Sequence, residues 1–251
     1  MTTESAATAA LTLTGRYYRL YPNFETPLGY ATETLELPLD RTALLLVDVY
    51  GAGYDDEDDG SLTGVYKPDP VIRTMIRERI RPAKDAARRI GIPTVYTTNH
   101  LSPGLDEGNE WRNMSMRTCD VDALQAWREP TPILEHSKVI APDDQDVVVR
   151  KQMYSGFFET NLDSVLRNRG VRNLVVVGFD SRICLGNTVT EALYRNYRVI
   201  VLRDCVRTFE FPETREGEWA NFIAIRHIET NIGYTSTAEE FIQACDRIGS
   251  Q

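Results

Sequence analysis

Short apolar runs alternate with amphipathic segments from Arg41 to near the end of the chain. This alternation is typical of βαβ units, in which helices cross between neighbouring parallel strands. Five apolar runs are predicted to be strands, all of them internal to the sheet: residues 43–49, 93–98, 147–149, 173–177 and 198–202. The sequence therefore predicts an α/β fold with a doubly wound, Rossmann-like, mostly parallel sheet and helices on both faces, in three α/β/α layers.

Four of the other segments are predicted to be helices. The first spans residues 71–90 and ends before Gly91, and Pro82 in its middle is expected to kink it or divide it in two. The remaining three open at residues 160–163, at Cys184 and at residues 237–240. Residues 101–130 are long, irregular and aromatic-bearing, so we expect a lid or an interface there rather than a second domain.

Residues 1–40 precede the first apolar run and show no clear period. Roughly the first 15 are small and polar, which predicts a loose tail, and the stretch GRYYRLYPNFETPLGY then carries five aromatic residues. We interpret residues 1–40 as a tail and an aromatic arm, and residues 41–251 as one α/β domain. Exposed aromatic residues in that number are a liability on a monomer, so the arm favours a homo-oligomer.

The charge balance constrains the partners of the chain. There are 28 Lys and Arg residues against 37 Asp and Glu residues, a net charge of −9, which argues against nucleic acid or an anionic membrane surface and favours a small-molecule substrate. No apolar run reaches the roughly 18 residues that a membrane span requires, and no signal peptide is evident, so a cytoplasmic location is expected. The four cysteines are too scattered for a disulfide scaffold.

Three reactive residues lie at or after the ends of predicted strands: Asp48, Lys151 and Cys184. Ligands bind outside the carboxyl ends of strands in an open parallel sheet, so these side chains are expected to meet there. Taken singly, each has a plainer interpretation: a turn-forming Asp, a solvated Lys and a core Cys. Together they suit acyl transfer to water. Cys184 would be the nucleophile, its thiol pKa lowered by Lys151 and the helix N-terminus, and Asp48 would carry the proton.

The same residues and their surroundings resemble the cysteine hydrolases of the isochorismatase-like superfamily. That family has an Asp ending the first strand, here LLLVDV, a Lys after an inner strand, here VVVRKQMYSGFF, and a Cys closing a G-x-x-[ST]-x-x-C turn, here GFDSRIC. The resemblance spans roughly residues 42–248 and makes residues 41–251 a hydrolase domain. Within the superfamily it is closest to ureidoacrylate amidohydrolases and N-carbamoyl amidohydrolases, in view of the YSGFF that follows Lys151.

The resemblance implies further roles for individual residues. The backbone N–H groups of Asp180 and Cys184 would form the oxyanion hole, with a cis peptide bond between Phe179 and Asp180. The substrate would contact four aromatic residues: Tyr50, which stands where relatives often have Gln, Trp111, Tyr154 and Phe157. The histidines of the nicotinamidase metal set are missing, so neither a catalytic metal nor another cofactor is expected. Relatives associate as dimers or tetramers.

The leading hypothesis is thus a cysteine-dependent amidohydrolase that cleaves a C–N bond of a small ureido or carbamoyl compound through a thioester-type acyl-enzyme. A carboxamidase of the nicotinamidase type is the alternative enzyme, and the missing histidines count against it. A non-catalytic α/β module that binds a ligand in the same crevice is the alternative outside enzymology.

Overall fold

The apolar runs of the sequence form the parallel part of one sheet. A computed structural model of the chain describes residues 9–21, 28–52, 54–55, 69–100, 110–119 and 132–250. Its strands are β1 (Ala10–Arg19), β2 (Gly29–Pro38), β3 (Thr42–Val47), β4 (Thr94–Asn99), β5 (Val147–Lys151), β6 (Asn173–Phe179), β7 (Arg198–Arg207) and β8 (Tyr234–Ser236). They form one eight-stranded sheet in the order β2-β1-β8-β7-β6-β3-β4-β5. Strands β3 to β8 pair in parallel, and β1 is antiparallel to both β2 and β8. The predicted mostly parallel α/β fold is confirmed.

Helices cover both faces of this sheet. They are α1 (Pro70–Met75), α2 (Arg81–Arg89), α3 (Glu110–Cys119), α4 (Leu162–Asn168), α5 (Cys184–Tyr194), α6 (Trp219–Asn231) and α7 (Ala238–Gly249). Short 3-10 turns cover Leu39–Arg41, Pro132–Leu134 and Lys138–Ile140. Within the described ranges, no helix is long and apolar enough to cross a bilayer.

Successive residues of the central strand β3 point to opposite faces of the sheet and into two separate cores. Leu44 and Leu46 pack with the apolar residues of α1, α2 and α7 on one face. Leu45 and Val47 pack with those of α4, α5 and α6 on the other. A strand that is buried on both faces must be apolar throughout, which explains why this run shows no polar alternation before Asp48.

The helical segment around Pro82 continues through the proline. Ile76–Ile80 form a π-helical turn that joins α1 to α2. Pro82 has no N–H to donate and its ring crowds the carbonyl one turn earlier, and the wider π turn accommodates both effects. The kink or division expected at Pro82 therefore takes the form of a local π turn.

Two expectations from the sequence are wrong. The run at residues 147–149 is not internal, because β5 is an edge strand of the sheet and Val148 is 41% exposed on it. The loose tail does not extend to residue 15, because Ala10–Arg19 forms β1 and pairs with β2 along its whole length. Leu11 and Leu13 alternate with threonines, a period-2 pattern that fits a half-buried strand, and both leucines are buried.

The β1–β2 hairpin is joined to the domain through a buried carboxylate. Glu229 of α6 lies 2.7 Å from the Arg16 guanidinium and accepts a 2.6 Å hydrogen bond from Thr235 on β8. Arg226 stacks on Tyr18 and Tyr30 of the hairpin, at 3.8 and 4.7 Å from the ring centroids. A division of the chain near residue 40 stays a prediction.

Candidate active site

Asp48 lies directly after the central strand β3, at the carboxyl edge of the sheet. Its φ of 50° is left-handed, a conformation that costs energy in a residue other than glycine and is often retained at functional sites. Gly178, at the end of β6, makes room beside it. A Cβ on Gly178 would overlap the Val47 carbonyl oxygen, and the φ of 117° at Gly178 disfavours any side chain. Glycine here lets the two strand ends approach closely.

Lys151 ends strand β5 and is fully buried. Its ammonium lies 2.7 Å from Asp48 Oδ2 and donates to Asn99 Oδ1 at 2.5 Å and to the Met153 carbonyl at 3.3 Å. Burial by itself lowers the pKa of Lys151, but the Asp48 carboxylate and the Cys184 sulfur outweigh that effect, and the net shift is upward. Lys151 is therefore a permanent cation inside the site.

Cys184 is the first residue of α5 and is partly exposed. The Asp48 carboxylate and the Lys151 ammonium both act on the pKa of its thiol, so the three residues predicted from strand ends lie close together. Burial of the sulfur raises the pKa of Cys184 well above its ordinary value, Lys151 opposes that rise and Asp48 adds to it. The expectation of a lowered thiol pKa is therefore wrong, because burial outweighs the ammonium and the helix N-terminus. A neutral thiol beside a carboxylate can act as a nucleophile only if the carboxylate takes its proton.

The turn before Cys184 leaves two N–H groups available. The Phe179–Asp180 peptide bond is cis, as the resemblance implies. Other N–H groups of this turn are engaged: Ser181 with Arg207 O at 3.0 Å, Arg182 with Asp180 Oδ1 at 2.9 Å, and Ile183 and Leu185 with Asp180 O at 3.0 Å. Within the described part of the chain, the N–H groups of Asp180 and Cys184 donate to no protein acceptor. These are the two donors that the oxyanion-hole hypothesis requires.

The side chain of Asp180 holds this turn in place. Its carboxylate accepts hydrogen bonds from the N–H of Arg182 at 2.9 Å and of Phe209 at 3.3 Å. Burial raises the pKa of Asp180, against the hydrogen bonds from the two backbone N–H groups. Ser181 adds a second link, since its hydroxyl donates to Asn221 of α6 at 2.8 Å. The Asp180 side chain therefore stabilises the conformation of the turn before Cys184.

The segment after Lys151 packs tightly against α5. Thr188 donates to the Cys184 carbonyl at 2.6 Å and its hydroxyl oxygen accepts the Gly156 N–H at 2.9 Å. A Cβ on Gly156 would lie 3.0 Å from a Thr97 methyl group, so the glycine of YSGFF allows this close approach. The contact fixes the end of β5 relative to the start of α5, and with them Lys151 relative to Cys184.

Phe157 and Tyr50, two of the four aromatic residues predicted to bind substrate, are buried inside the protein. Phe157 lies in the core, with its ring centroid 5.7 Å from that of Tyr197, so its assignment as a pocket wall is corrected. Tyr50 is also buried, and its hydroxyl accepts the Asn99 N–H at 2.8 Å. Its hydroxyl therefore contacts the end of β4, and its contact with substrate stays a prediction.

The other two aromatic residues lie along α3. Trp111 is a buried residue of that helix, and Tyr154 donates a 3.8 Å hydrogen bond to the sulfur of Met114 in the same helix. Their contact with substrate stays a prediction. The rest of residues 101–130 lies outside the described residues.

Sequence reasoning missed two polar residues of the site, Thr97 and Asn99. Thr97 donates to Asp48 Oδ1 at 3.0 Å, and Asn99 accepts from Lys151. Both belong to β4, which lies between β3 and β5 in the sheet. The sequence shows the polar end of PTVYTTN, but it does not show that this strand lies between β3 and β5 in the sheet.

In the described ranges, no group of three His, Cys, Asp or Glu side chains is placed to hold a metal ion. Asp55 begins the acidic run DDEDD, and the rest of that run lies outside the described residues. Its carboxylate accepts hydrogen bonds from Ser137 at 2.5 Å and from the Lys138 N–H at 2.9 Å, so Asp55 has a structural role. Metal-independent catalysis stays a prediction.

Comparison with known proteins gives the family that the sequence resemblance implies. The sequence profile of the Isochorismatase domain matches residues 42–240. Ureidoacrylate amidohydrolase RutB of Methylorubrum extorquens is 33% identical over 227 residues, which cover 83% of this chain and 84% of that protein.

Solved structures with the same fold include a cysteine hydrolase from Pseudomonas syringae pv. phaseolicola, with a TM-score of 0.68, 22% identity and coverage of 92% of this chain and 97% of that one. N-carbamoylsarcosine amidase from Thermoplasma acidophilum has a TM-score of 0.57 and 25% identity, with coverage of 79% of this chain and 97% of that one. The profile match and the identity to curated relatives show that the chain belongs to the isochorismatase family, as one of its amidohydrolases.

Proposed function

We propose that the protein hydrolyses a C–N bond of a small ureido or carbamoyl compound, with ureidoacrylate as the leading candidate, through an acyl-enzyme on Cys184. One observation carries the proposal: the Cys184 thiol lies beside the buried ion pair of Asp48 and Lys151, which are 2.7 Å apart, at a turn that offers two N–H donors. The identity to relatives named as ureidoacrylate amidohydrolases supports the substrate class.

In the first half-reaction the Cys184 sulfur attacks the ureido carbonyl carbon as its proton passes to Asp48. The carbonyl oxygen takes up the electron pair and is stabilised by the N–H groups of Asp180 and Cys184. When the carbonyl re-forms, the C–N bond breaks and the leaving nitrogen takes the proton from Asp48. Lys151 stabilises the negative charge that moves from carboxylate to sulfur and back.

In the second half-reaction Asp48 takes a proton from water as the water oxygen attacks the carbonyl carbon of the thiocarbamate on Cys184. The S–C bond then breaks, the sulfur recovers the proton from Asp48, and the acid product leaves. Asp48 serves as base and acid in each half, so one carboxylate beside a neutral thiol is sufficient for all four proton transfers.

A substrate comparison tests the proposal. Purified protein would be assayed for ammonia release from ureidoacrylate, N-carbamoyl amino acids, biuret and nicotinamide, with Cys184→Ala as the control. We expect kcat/KM for the best ureido or carbamoyl compound to exceed that for nicotinamide by at least ~10²-fold, since a site that hydrogen-bonds one substrate strongly rejects analogues without the matching groups. A preference for nicotinamide would overturn the substrate assignment.

The proposal includes a homo-oligomer, a dimer or tetramer, which exposed apolar side chains on two parts of the chain support. Aromatic residues of the arm pack within the chain, with Tyr18 edge-on to Tyr30 at 5.3 Å between ring centroids. Leu20, Tyr21, Leu28 and Tyr30 of the arm are exposed, and further exposed apolar side chains lie on α6 and in the loop before it: Phe209, Phe211, Trp219, Phe222 and Ile223. An apolar face of this kind is typical of a subunit interface. The cytoplasmic location stays a prediction from the sequence.

A further inference from the structure

A chain of contacts from Tyr50 through Asn99 of strand β4 reaches Lys151. Asn99, the last residue of β4, is buried, and its Oδ1 accepts from the Lys151 ammonium at 2.5 Å. The N–H of Asn99 donates in turn to the Tyr50 hydroxyl at 2.8 Å. Tyr50 follows Asp48 by two residues, so the segment that carries the carboxylate also holds the residue that contacts its cation.

The ammonium of Lys151 has three N–H bonds and more than three acceptors around it. Asp48, Asn99 and the Met153 carbonyl lie at 2.7, 2.5 and 3.3 Å, and the Cys184 sulfur is close enough to act on the pKa of Lys151. A flexible side chain in such a setting has several competing orientations. The short contact with Asn99 fixes one N–H and so determines which directions remain for Asp48 and Cys184.

The amide of Asn99 suits this position better than a carboxylate. It accepts a hydrogen bond without adding negative charge. A carboxylate there would compete with Asp48 for Lys151 and raise the thiol pKa of Cys184 further, since a nearby negative charge disfavours the thiolate.

Tyr50 is held from its other side by His136. The backbones of these two residues form an isolated antiparallel bridge, and His136 Nε2 lies 3.3 Å from the Thr97 carbonyl oxygen. The ring of His136 also packs edge-on against Tyr96 of β4, at 5.0 Å between centroids. The Tyr50 hydroxyl is thus fixed with respect to β4, the strand whose last N–H it accepts.

We propose that Asn99 is a positioning residue for the Lys151 ammonium and that Tyr50 is a positioning residue for Asn99. Neither touches the reacting atoms. Both act through Lys151 on the thiol of Cys184. This inference rests on the proposed function, in which Lys151 stabilises the charge that develops on the sulfur.

Two variants test the proposal, Asn99→Asp and Tyr50→Phe, with Tyr234→Phe as the matched control because that hydroxyl donates to Glu33 in the hairpin. The first measurement is the rate of alkylation of Cys184 by iodoacetamide against pH, read by peptide mass spectrometry. The second is kcat and KM on the best ureido substrate. Circular dichroism and urea unfolding report whether each variant is folded.

We expect Asn99→Asp to lower the alkylation rate of Cys184 by about 10-fold at each pH, because a higher thiol pKa leaves less thiolate. In Tyr50→Phe a fall in kcat of about 5-fold with KM nearly unchanged is expected, the size of one lost hydrogen bond. Tyr234→Phe should match the wild type in both measurements.

An alkylation profile that coincides with the wild type in folded Asn99→Asp, or an unchanged kcat in Tyr50→Phe, would overturn the inference. If Asn99→Asp does not fold, Tyr50→Phe decides alone. A lowered alkylation rate of Cys184 in that variant supports the inference, and an unchanged rate overturns it. If the wild type hydrolyses no ureido compound, the proposed function fails, while the alkylation profiles still decide whether Asn99 and Tyr50 act on Cys184.

Discussion

The Lys151 ammonium and the Asp48 carboxylate lie 2.7 Å apart, and both side chains are buried. They come from strands that do not pair with each other, since β4 lies between β3 and β5. This ion pair therefore spans a strand at the carboxyl edge of the sheet, and Thr97 and Asn99 of that middle strand contact its two ends. Removal of either charge leaves the other buried and unpaired.

Lys151→Met should destabilise the fold by about 3–5 kcal/mol, because it leaves the buried Asp48 carboxylate without its cation. The double variant Asp48→Asn/Lys151→Met removes both charges and should recover a large part of that loss. Urea unfolding of the wild type, both single variants and the double variant measures the coupling. Strictly additive effects would contradict the presence of a buried ion pair.

Asp48→Asn should lower kcat by at least ~10²-fold, since the thiol then has no carboxylate to take its proton. An unchanged KM would indicate that substrate still binds. Thr97→Val removes the hydroxyl that donates to Asp48 and serves as a milder comparison. It should lower kcat by about 10-fold or less. A kcat for Asp48→Asn within a few-fold of the wild type would transfer the proton-carrying role to another residue.

The alkylation of Cys184 should be slow at pH 7 and rise steadily toward pH 9 without a plateau. This increase with pH follows from the raised pKa of the thiol. At neutral pH Cys184 of the folded protein is in the thiol form, and only the thiolate reacts with iodoacetamide. Cys184→Ala identifies the labelled peptide, and Cys205 and Cys245 are buried. A plateau reached below pH 7 would show a lowered pKa and contradict this assignment.

Gly178→Ala should destabilise the protein by about 2–4 kcal/mol and lower activity as well, because the new Cβ would meet the Val47 carbonyl beside Asp48. Gly249→Ala, at the end of α7, is the matched control, since nothing lies within 4 Å of a Cβ there. Urea unfolding and a rate assay on the same samples check both effects. Equal stability of the two variants would mean that β6 and β3 can separate at no cost.

The fold and the central trio could be predicted because both depend on local sequence. The apolar runs that end at Asp48 and before Lys151, and the turn that ends at Cys184, each mark a strand end without reference to any other. The cis bond at Phe179 was also anticipated, from the resemblance. These features need only the order of elements along the chain.

The remaining features depend on which strands become neighbours. Asn99 contacts Lys151 only because β4 pairs with β5, and Val148 is exposed only because β5 is an edge strand. The thiol pKa of Cys184 was misjudged for a related reason: the sequence displays the nearby charge and the helix start, but the depth of burial follows from the packing of the whole layer.

The most direct test of the mechanism is the detection of an acyl-enzyme. Protein mixed with ureidoacrylate would be quenched in acid within one turnover and digested, and the peptide that contains Cys184 would be weighed, with Cys184→Ala treated in parallel. We expect a mass increase equal to the acyl part of the substrate on that peptide in the wild type, and neither adduct nor turnover in Cys184→Ala. Hydrolysis of ureidoacrylate by Cys184→Ala at the wild-type rate would contradict covalent catalysis at this residue.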